Sequence, residues 1–313
     1  MAHGLLLIDK PEGITSNAVV GIVRRSLGRL VKVGHTGTLD PQASGLLVIL
    51  LGAATRALDF LDEAKKHYQV TVRLGEESDT CDREGTITIT GDPQSLTVEK
   101  IGKCLGDFKG KIDQIPPHFS AIKKDGVPLY KLARKGVFPS LDVRKVEIFD
   151  LSLIDWRPPD LKIDLVCSKG AYARSIARDI GAKLGVGGRV ETLRRIASGK
   201  FNVASARNLD FVKGASIDDI KQAAIPLDRA LEHLPRIEMQ EENLRQLVFG
   251  RYVATEDLVP GEENSTSILE PEIFRVQDCL SRILILVRYQ HQEGRKFLKP
   301  LKVFNLLDNP GIE

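Results

Sequence analysis

The chain is poor in the residues most cofactor and metal chemistries need. Its 313 residues hold four cysteines, Cys81, Cys104, Cys167 and Cys279, and no C-x-x-C pair. That argues against a thiolate zinc site and a disulfide framework, and points to packing residues in a reducing compartment. The histidines at 3, 35, 67, 118, 233 and 291 never stand at ligand spacing from a carboxylate or thiol, so no metal is expected. Gly-x-Ser-x-Gly elbows and phosphate loops are missing, and the cluster Gly185-Val186-Gly187-Gly188 follows a helical pattern instead of opening one, which excludes a dinucleotide fingerprint. The longest apolar run, Gly45 to Ala54, is about half a bilayer crossing. With no charged-then-apolar leader at the start, the expected location is cytoplasmic, away from membranes.

What is present fits an ordinary globular protein, 42% hydrophobic and 28% charged, long enough for one large and one small domain. The net charge of +3 hides a strong asymmetry. Lys103 to Lys145 holds ten Lys/Arg against four Asp/Glu, and Ser168 to Arg207 holds nine against two, so the remainder is net acidic. Clustered positive charge on a nearly neutral chain is the footprint of a nucleic-acid surface; solvated basic helix faces are the alternative.

One stretch concentrates chemistry: Gly34-His35-Thr36-Gly37-Thr38-Leu39-Asp40-Pro41. Gly34 and Gly37 permit positive φ or close backbone approach, and Pro41 pushes Asp40 out of the helical region. The apolar run after it has the length of a buried strand, so the loop is expected to be anchored to a sheet. On these residues alone, Asp40 is equally a catalytic carboxylate or a turn-former before proline.

Elsewhere, Gly4–Asp9 reads as a buried strand, and Thr15 or Ser16 caps a helix bearing Val19, Val20, Val23 and Leu27. Thr55–Asp62 reads as helix. Tyr68, Val70, Val72 and Leu74 alternate with polar residues as in a half-buried antiparallel strand. Gly75–Gly85 is polar and reads as loop, Thr86–Ile89 resumes the period of two, and Thr97 caps a helix. The segment from Gln114 to Lys135 has no clear period and much positive charge, as in a proline-stiffened insertion that could clamp a polyanion. Val143–Leu151 and Leu161–Cys167 alternate again. A helix then carries Arg174, Arg178, Ile176, Ile180 and Leu184 and closes at Gly185, with Asp179 facing elsewhere than the arginines. A helix over Leu227–Leu234 ends at Pro235, the expected domain boundary; Ile283–Val287 and Leu301–Phe304 read as strands of a small β domain.

Gly34-His35-Thr36-Gly37-Thr38-Leu39-Asp40-Pro41-x-Ala43-x-Gly45-x-Leu47 closely resembles the catalytic motif of the TruB family, the bacterial tRNA pseudouridine-55 synthases. Further stretches match in family order: Lys10-Pro11-x-Gly13-x-Thr15-Ser16, Lys66-x-Tyr68 with Arg73-Leu74-Gly75, Pro116-Pro117-x-x-Ser120-Ala121-x-Lys123, Tyr130-x-x-Ala133-Arg134, and Ser168-x-Gly170-x-Tyr172-x-Arg174. The resemblance spans residues 4 to 200. It implies an α+β fold, a mixed, mainly antiparallel sheet with flanking helices over residues 1–234, an RNA-gripping insertion at 109–142, and a small PUA-like RNA-binding β domain at 235–313. It implies isomerisation of uridine to pseudouridine in the tRNA T-arm, without cofactor or metal, on a base flipped from its loop. Asp40 would be the essential carboxylate, as nucleophile at the ribose or base on its C2′ proton, and Arg174 the partner that keeps it ionised. Tyr68 would stack on the base, His35 fill the space it vacates, and Tyr172 and Leu193 wall the pocket. Lys10, Lys123, Tyr130 and Arg134 would contact the substrate. The implied partner is the tRNA T-arm stem-loop, with no obligatory protein partner and a monomeric chain. A guide-RNA-directed synthase and an RNA-folding module with secondary catalysis are the alternatives; the first requires guide RNA and partner proteins, and the second keeps refolding tRNA without Asp40.

Overall fold

The computed structural model describes residues 3–28, 31–61, 65–257, 273–278 and 282–306. Strand β1 (Gly4–Lys10) leads into helix α1 (Ser16–Leu27), where the Thr15 hydroxyl accepts from the Ala18 amide as an N-cap. A short β2 (Val33–His35) precedes β3 (Ser44–Leu51). Next come β4 (Lys65–Leu74), the hairpin of β5 (Glu76–Ser78) and β6 (Ile87–Ile89), Thr97-capped α2 (Val98–Gly106) and β7 (Gly110–Gln114). The chain then leaves the sheet for a small hairpin, β8 (Lys123–Lys124) and β9 (Val127–Pro128), and α3 (Leu129–Ala133). It returns as β10 (Arg144–Arg157), β11 (Asp160–Ser168), α4 (Ala173–Leu184) and β12 (Gly188–Ser198).

In the main sheet β1, β3, β12, β4, β11, β10 and β7 lie side by side in that order. Neighbours in this row are antiparallel except β3 and β12, which meet in parallel where Ser44 and Gly45 face Arg194 and Arg195. This is the mixed, mainly antiparallel sheet with helices that the sequence led us to expect. The motif loop and β12 therefore converge at the start of β3.

The unbroken apolar run of β3 is explained by burial on both faces. Leu47, Ile49 and Leu51 join Leu6 and Ile8 of β1 in the core under α1 and α4, with Val19, Val23, Ile176 and Ile180. Leu46, Val48 and Leu50 join Leu5 and Leu7 on the other side, against Leu284, Leu286 and Phe304. The last three belong to a five-stranded sheet of Arg236–Ile237, Phe274–Gln277, Ile283–Gln292, Arg295–Asn305 and Val253–Ala254, in that order. That small β unit has its own core of Ile237, Leu247, Val276 and Leu298 and shares a second one with the main sheet.

Several local readings are corrected. Thr55–Asp62 is no α-helix: the described residues form two 3₁₀ turns, Gly52–Arg56 and Leu58–Phe60. The polar stretch Gly75–Gly85 begins with β5 and carries a buried aspartate, Asp82. The helix before Pro235 spans only Leu227–Ala230. Gly34 and Gly37 do not adopt positive φ; in this region Gly45 does, at 101°, and a Cβ there would lie 2.3 Å from the Arg195 carbonyl oxygen. Asp179 does not face away from Arg178, whose Nε donates to its Oδ1 at 2.8 Å. Gly185 closes α4 in the left-handed region as expected.

Candidate active site

The Asp40 loop is held from three sides. From β1, the Lys10 ammonium donates to the carbonyls of Pro11 (2.9 Å), Ile14 (2.9 Å) and Pro41 (3.2 Å). From α1, Ser16 Oγ both accepts from the Leu39 amide and donates to the Leu39 carbonyl, each at 2.9 Å. From β12, buried Arg195 donates through Nε to the Leu46 carbonyl at 2.7 Å and through Nη2 to the Gly37 carbonyl at 3.1 Å. Backbone polar groups in a loop must find partners, and here side chains from three elements supply them. The loop is thus a rigid mount, and Pro41 and Gly45 set its course.

Arg174, in the first turn of α4 and 95% withdrawn from solvent along its side chain, meets Asp40 through two nitrogens. Nη2 donates to Oδ1 at 3.2 Å; Nε lies 2.9 Å from Oδ2 but off the hydrogen-bonding direction. The same guanidinium donates to the carbonyls of Thr80 (3.1 Å) and Phe119 (2.8 Å), and its Nη1 stands 3.6 Å from Asp82 Oδ2. One arginine therefore ties together the motif loop, the β5–β6 hairpin and the excursion between β7 and β10. Gln114 reinforces that junction, its amide pairing with the Tyr172 backbone N–H (2.8 Å) and C=O (3.3 Å) at the start of α4.

Burial pushes the Asp40 carboxyl above the usual carboxylate range; Arg174 and Lys10 pull it down, and Asp82 pushes it further up. Arg174 therefore favours the anion, as expected of its counter-ion, while desolvation sets the net direction upward. Lys10, fully buried, is brought down to about 8 by desolvation, against the attraction of Asp40 and Glu12. Burial likewise raises the Tyr68 phenol, which hydrogen-bonds Arg195.

Above the pair opens a cavity of about 270 Å³, just below the range of small-molecule pockets. Asp40 and Arg174 lie on its surface with Tyr68 of β4, Tyr172, Leu193 of β12 and Lys66. Asp40 keeps 30% of its side chain open to solvent. A carboxylate so placed can act on one small group held in a cavity that two tyrosines help to line.

A description of the TruB family pseudouridylate synthase N-terminal domain matches residues 24–173, and one of the tRNA pseudouridylate synthase B C-terminal domain matches residues 174–234. The chain belongs to the TruB family. The tRNA pseudouridine synthase B of Syntrophotalea carbinolica is 44% identical to it over 248 residues, 79% of this chain and 81% of that one. That of Caulobacter vibrioides is 38% identical over 305 residues, 97% and 96% of the two chains. Among solved structures, the crystal structure of a Cbf5-Nop10-Gar1 complex is similar with a TM-score of 0.70 at 25% identity, covering 96% of this chain and 85% of that one.

Of the site residues expected from the TruB resemblance, Asp40, Arg174, Tyr68, Tyr172 and Leu193 come together at the cavity. Others lie apart. His35 sits half-buried on β2, outside the cavity walls, with Nδ1 buried and unpaired. Lys10 faces carbonyl oxygens beneath the loop, so it holds the loop and has no open path to a substrate. Lys123, Tyr130 and Arg134 stand on the excursion, with Arg134 5.7 Å from the Tyr130 ring centre; its neighbours Ser120 and Ala121 reach the cavity. The second basic tract is partly internal. Arg174, Arg189 and Arg195 are buried, Arg189 against Glu76 and Glu191, and Arg194 pairs with Asp9. Sequence reasoning missed Asp82, Gln42, Lys66 and Arg195. Lys66 and Arg195 lay in stretches already marked as motif or basic tract, Gln42 stood unread as a variable position inside the Asp40 motif, and Asp82 lay in none.

Proposed function

We propose that this TruB-family chain isomerises uridine to pseudouridine at position 55 in the T-arm loop of tRNA, with Asp40 as the essential carboxylate. The observation that carries this reading is the Asp40–Arg174 pair at a cavity walled by Tyr68, Tyr172 and Leu193. The relatives named tRNA pseudouridine synthase B support the substrate class. The reaction breaks the N1–C1′ bond of uridine and makes a C5–C1′ bond, so a proton leaves C5 and one is gained at N1. Asp40 serves it as an anion, either attacking the ribose or taking the C2′ proton. A base stacked in an RNA loop must swing out to reach that carboxylate. Tyr68 then stacks on it, and His35, on the strand leading into the motif loop, fills the gap left in the RNA.

The exposed cations of the excursion, Lys123, Lys131, Arg134 and Lys135, suit the phosphate backbone around the flipped nucleotide. Binding is expected to weaken as salt rises. The direct test is incubation with an unmodified T-arm stem-loop, at low and high salt, followed by pseudouridine mapping. Conversion of the one uridine is expected; no conversion, or conversion scattered over other uridines, would refute the reading.

A further inference from the structure

Two carboxylates compete for one guanidinium. Arg174 contacts Asp40 at 2.9 and 3.2 Å, yet stays 3.6 Å from Asp82. Burial does not explain this bias, because the Asp82 side chain is 4% exposed against 30% for Asp40. The more deeply buried anion is expected to draw the cation harder. What separates the two is their other donors. Asp82 Oδ1 accepts from Thr80 Oγ1 at 2.6 Å and from the Glu84 amide at 3.0 Å, and its Oδ2 accepts from Gln42 Nε2 at 2.5 Å. Gln42 is itself buried, 4% exposed, and lies two residues beyond Asp40 on the same loop. Its amide occupies the oxygen that faces Arg174.

We propose that Gln42 is a positioning residue: by donating to Asp82 Oδ2 it satisfies that carboxylate and leaves the Arg174 guanidinium to Asp40. A satisfied buried carboxylate has less to gain from a further donor, and an unsatisfied one pays the full desolvation cost. Without the Gln42 amide, Arg174 moves toward Asp82 and Asp40 loses part of its counter-charge. The inference deepens the proposed reaction and rests on Asp40 being its essential carboxylate. The ionisable groups acting on the Asp40 carboxyl are Arg174, Lys10 and Asp82, and Lys66, Lys169, Arg195 and the Tyr68 and Tyr172 phenols line the same cavity. Of these, Arg174 is the one Gln42 controls.

The test is titration of the Asp40 carboxyl carbon by NMR, with single-turnover rates on a T-arm stem-loop, in wild type, Gln42→Met, Asp82→Asn and the double variant. Gln42→Met is expected to raise the Asp40 midpoint by about half a unit or more. It should slow turnover at neutral pH about tenfold, with KM for RNA unchanged. In the Asp82→Asn background, Gln42→Met should change neither quantity. Thr80→Val, which removes another donor from Asp82, should raise the Asp40 midpoint too and carries the test if Gln42→Met does not fold. An unmoved midpoint, or an effect that persists undiminished beside Asp82→Asn, overturns the role of Gln42. A raised midpoint in a protein that converts no uridine upholds it and overturns the proposed reaction instead.

Discussion

Arg174 holds Asp40 through Nε and Nη2 while its remaining edge serves the carbonyls of Thr80 and Phe119. The planar fork makes four contacts that an ammonium cannot reproduce. Arg174→Lys is therefore expected to cut turnover about 10²-fold or more. Its effect on RNA affinity should be small, because the guanidinium is buried beneath the cavity. Single-turnover kinetics with a binding titration checks this, and a loss confined to affinity would contradict it.

If Asp40 is the essential carboxylate of the proposed reaction, its raised carboxyl sets the acid limb of activity. Only the anion works in either role, so activity should fall as pH drops through a midpoint above the ordinary aspartate value. The stability sign runs the other way. A folded-state pKa above the unfolded one contributes stability below the unfolded value, and this is lost as pH rises through the folded one. Asp40→Asn should thus gain stability over wild type at neutral pH and lose that advantage below the unfolded aspartate value. Thermal unfolding against pH reads this out; a wild type that stays the more stable at neutral pH would contradict it.

Lys10 supplies a basic limb. Its ammonium, brought down to about 8, loses one N–H on deprotonation and with it part of the link that ties the Pro11 and Ile14 carbonyls of the β1–α1 turn to the Pro41 carbonyl of the loop. Turnover is expected to decline above that pH in wild type, and Lys10→Met should be slower throughout and lack the decline. For stability the depressed value means that the unfolded chain holds its proton longer, so this residue's contribution grows with pH between about 8 and its ordinary value of 10.5.

Gly45 is where the loop and β12 press together. Alanine there would carry a Cβ 2.3 Å from the Arg195 carbonyl oxygen, at a φ of 101°. Strain and overpacking together make Gly45→Ala costly, about 3 kcal/mol. A denaturant melt should show this as a lower midpoint. Alanine at Gly37, with negative φ and its nearest neighbour 3.7 Å away, should cost far less.

The sheet was legible wherever burial leaves a period. Alternation marked β4, β10 and β11, and the solid apolar run of β3 marked a strand covered on both faces. The Asp40 loop was legible as an ordered motif. The sequence did not reveal which arginines turn inward, since Arg189 and Arg195 look like any surface cation until Glu76, Glu191 and the Gly37 and Leu46 carbonyls are placed beside them. Asp82 was hidden for the same reason. It sits in a polar stretch without period, and what draws it inside is a bridge to Val190 of β12, more than a hundred residues away in sequence. Gln42 gave no signal because its partner was unknown. Long-range pairing, not local propensity, builds this part of the site.

The most direct measurement of the central claim is the single-turnover rate of pseudouridine formation at position 55 of unmodified tRNA by wild type, Asp40→Asn and His35→Ala. Asp40 lies on the cavity and His35 outside it, so the expected result is no detectable product with Asp40→Asn and only a modest slowing with His35→Ala. Equal losses in the two variants would return His35 to the chemistry, and product formed by Asp40→Asn at the wild-type rate would contradict the essential role of Asp40.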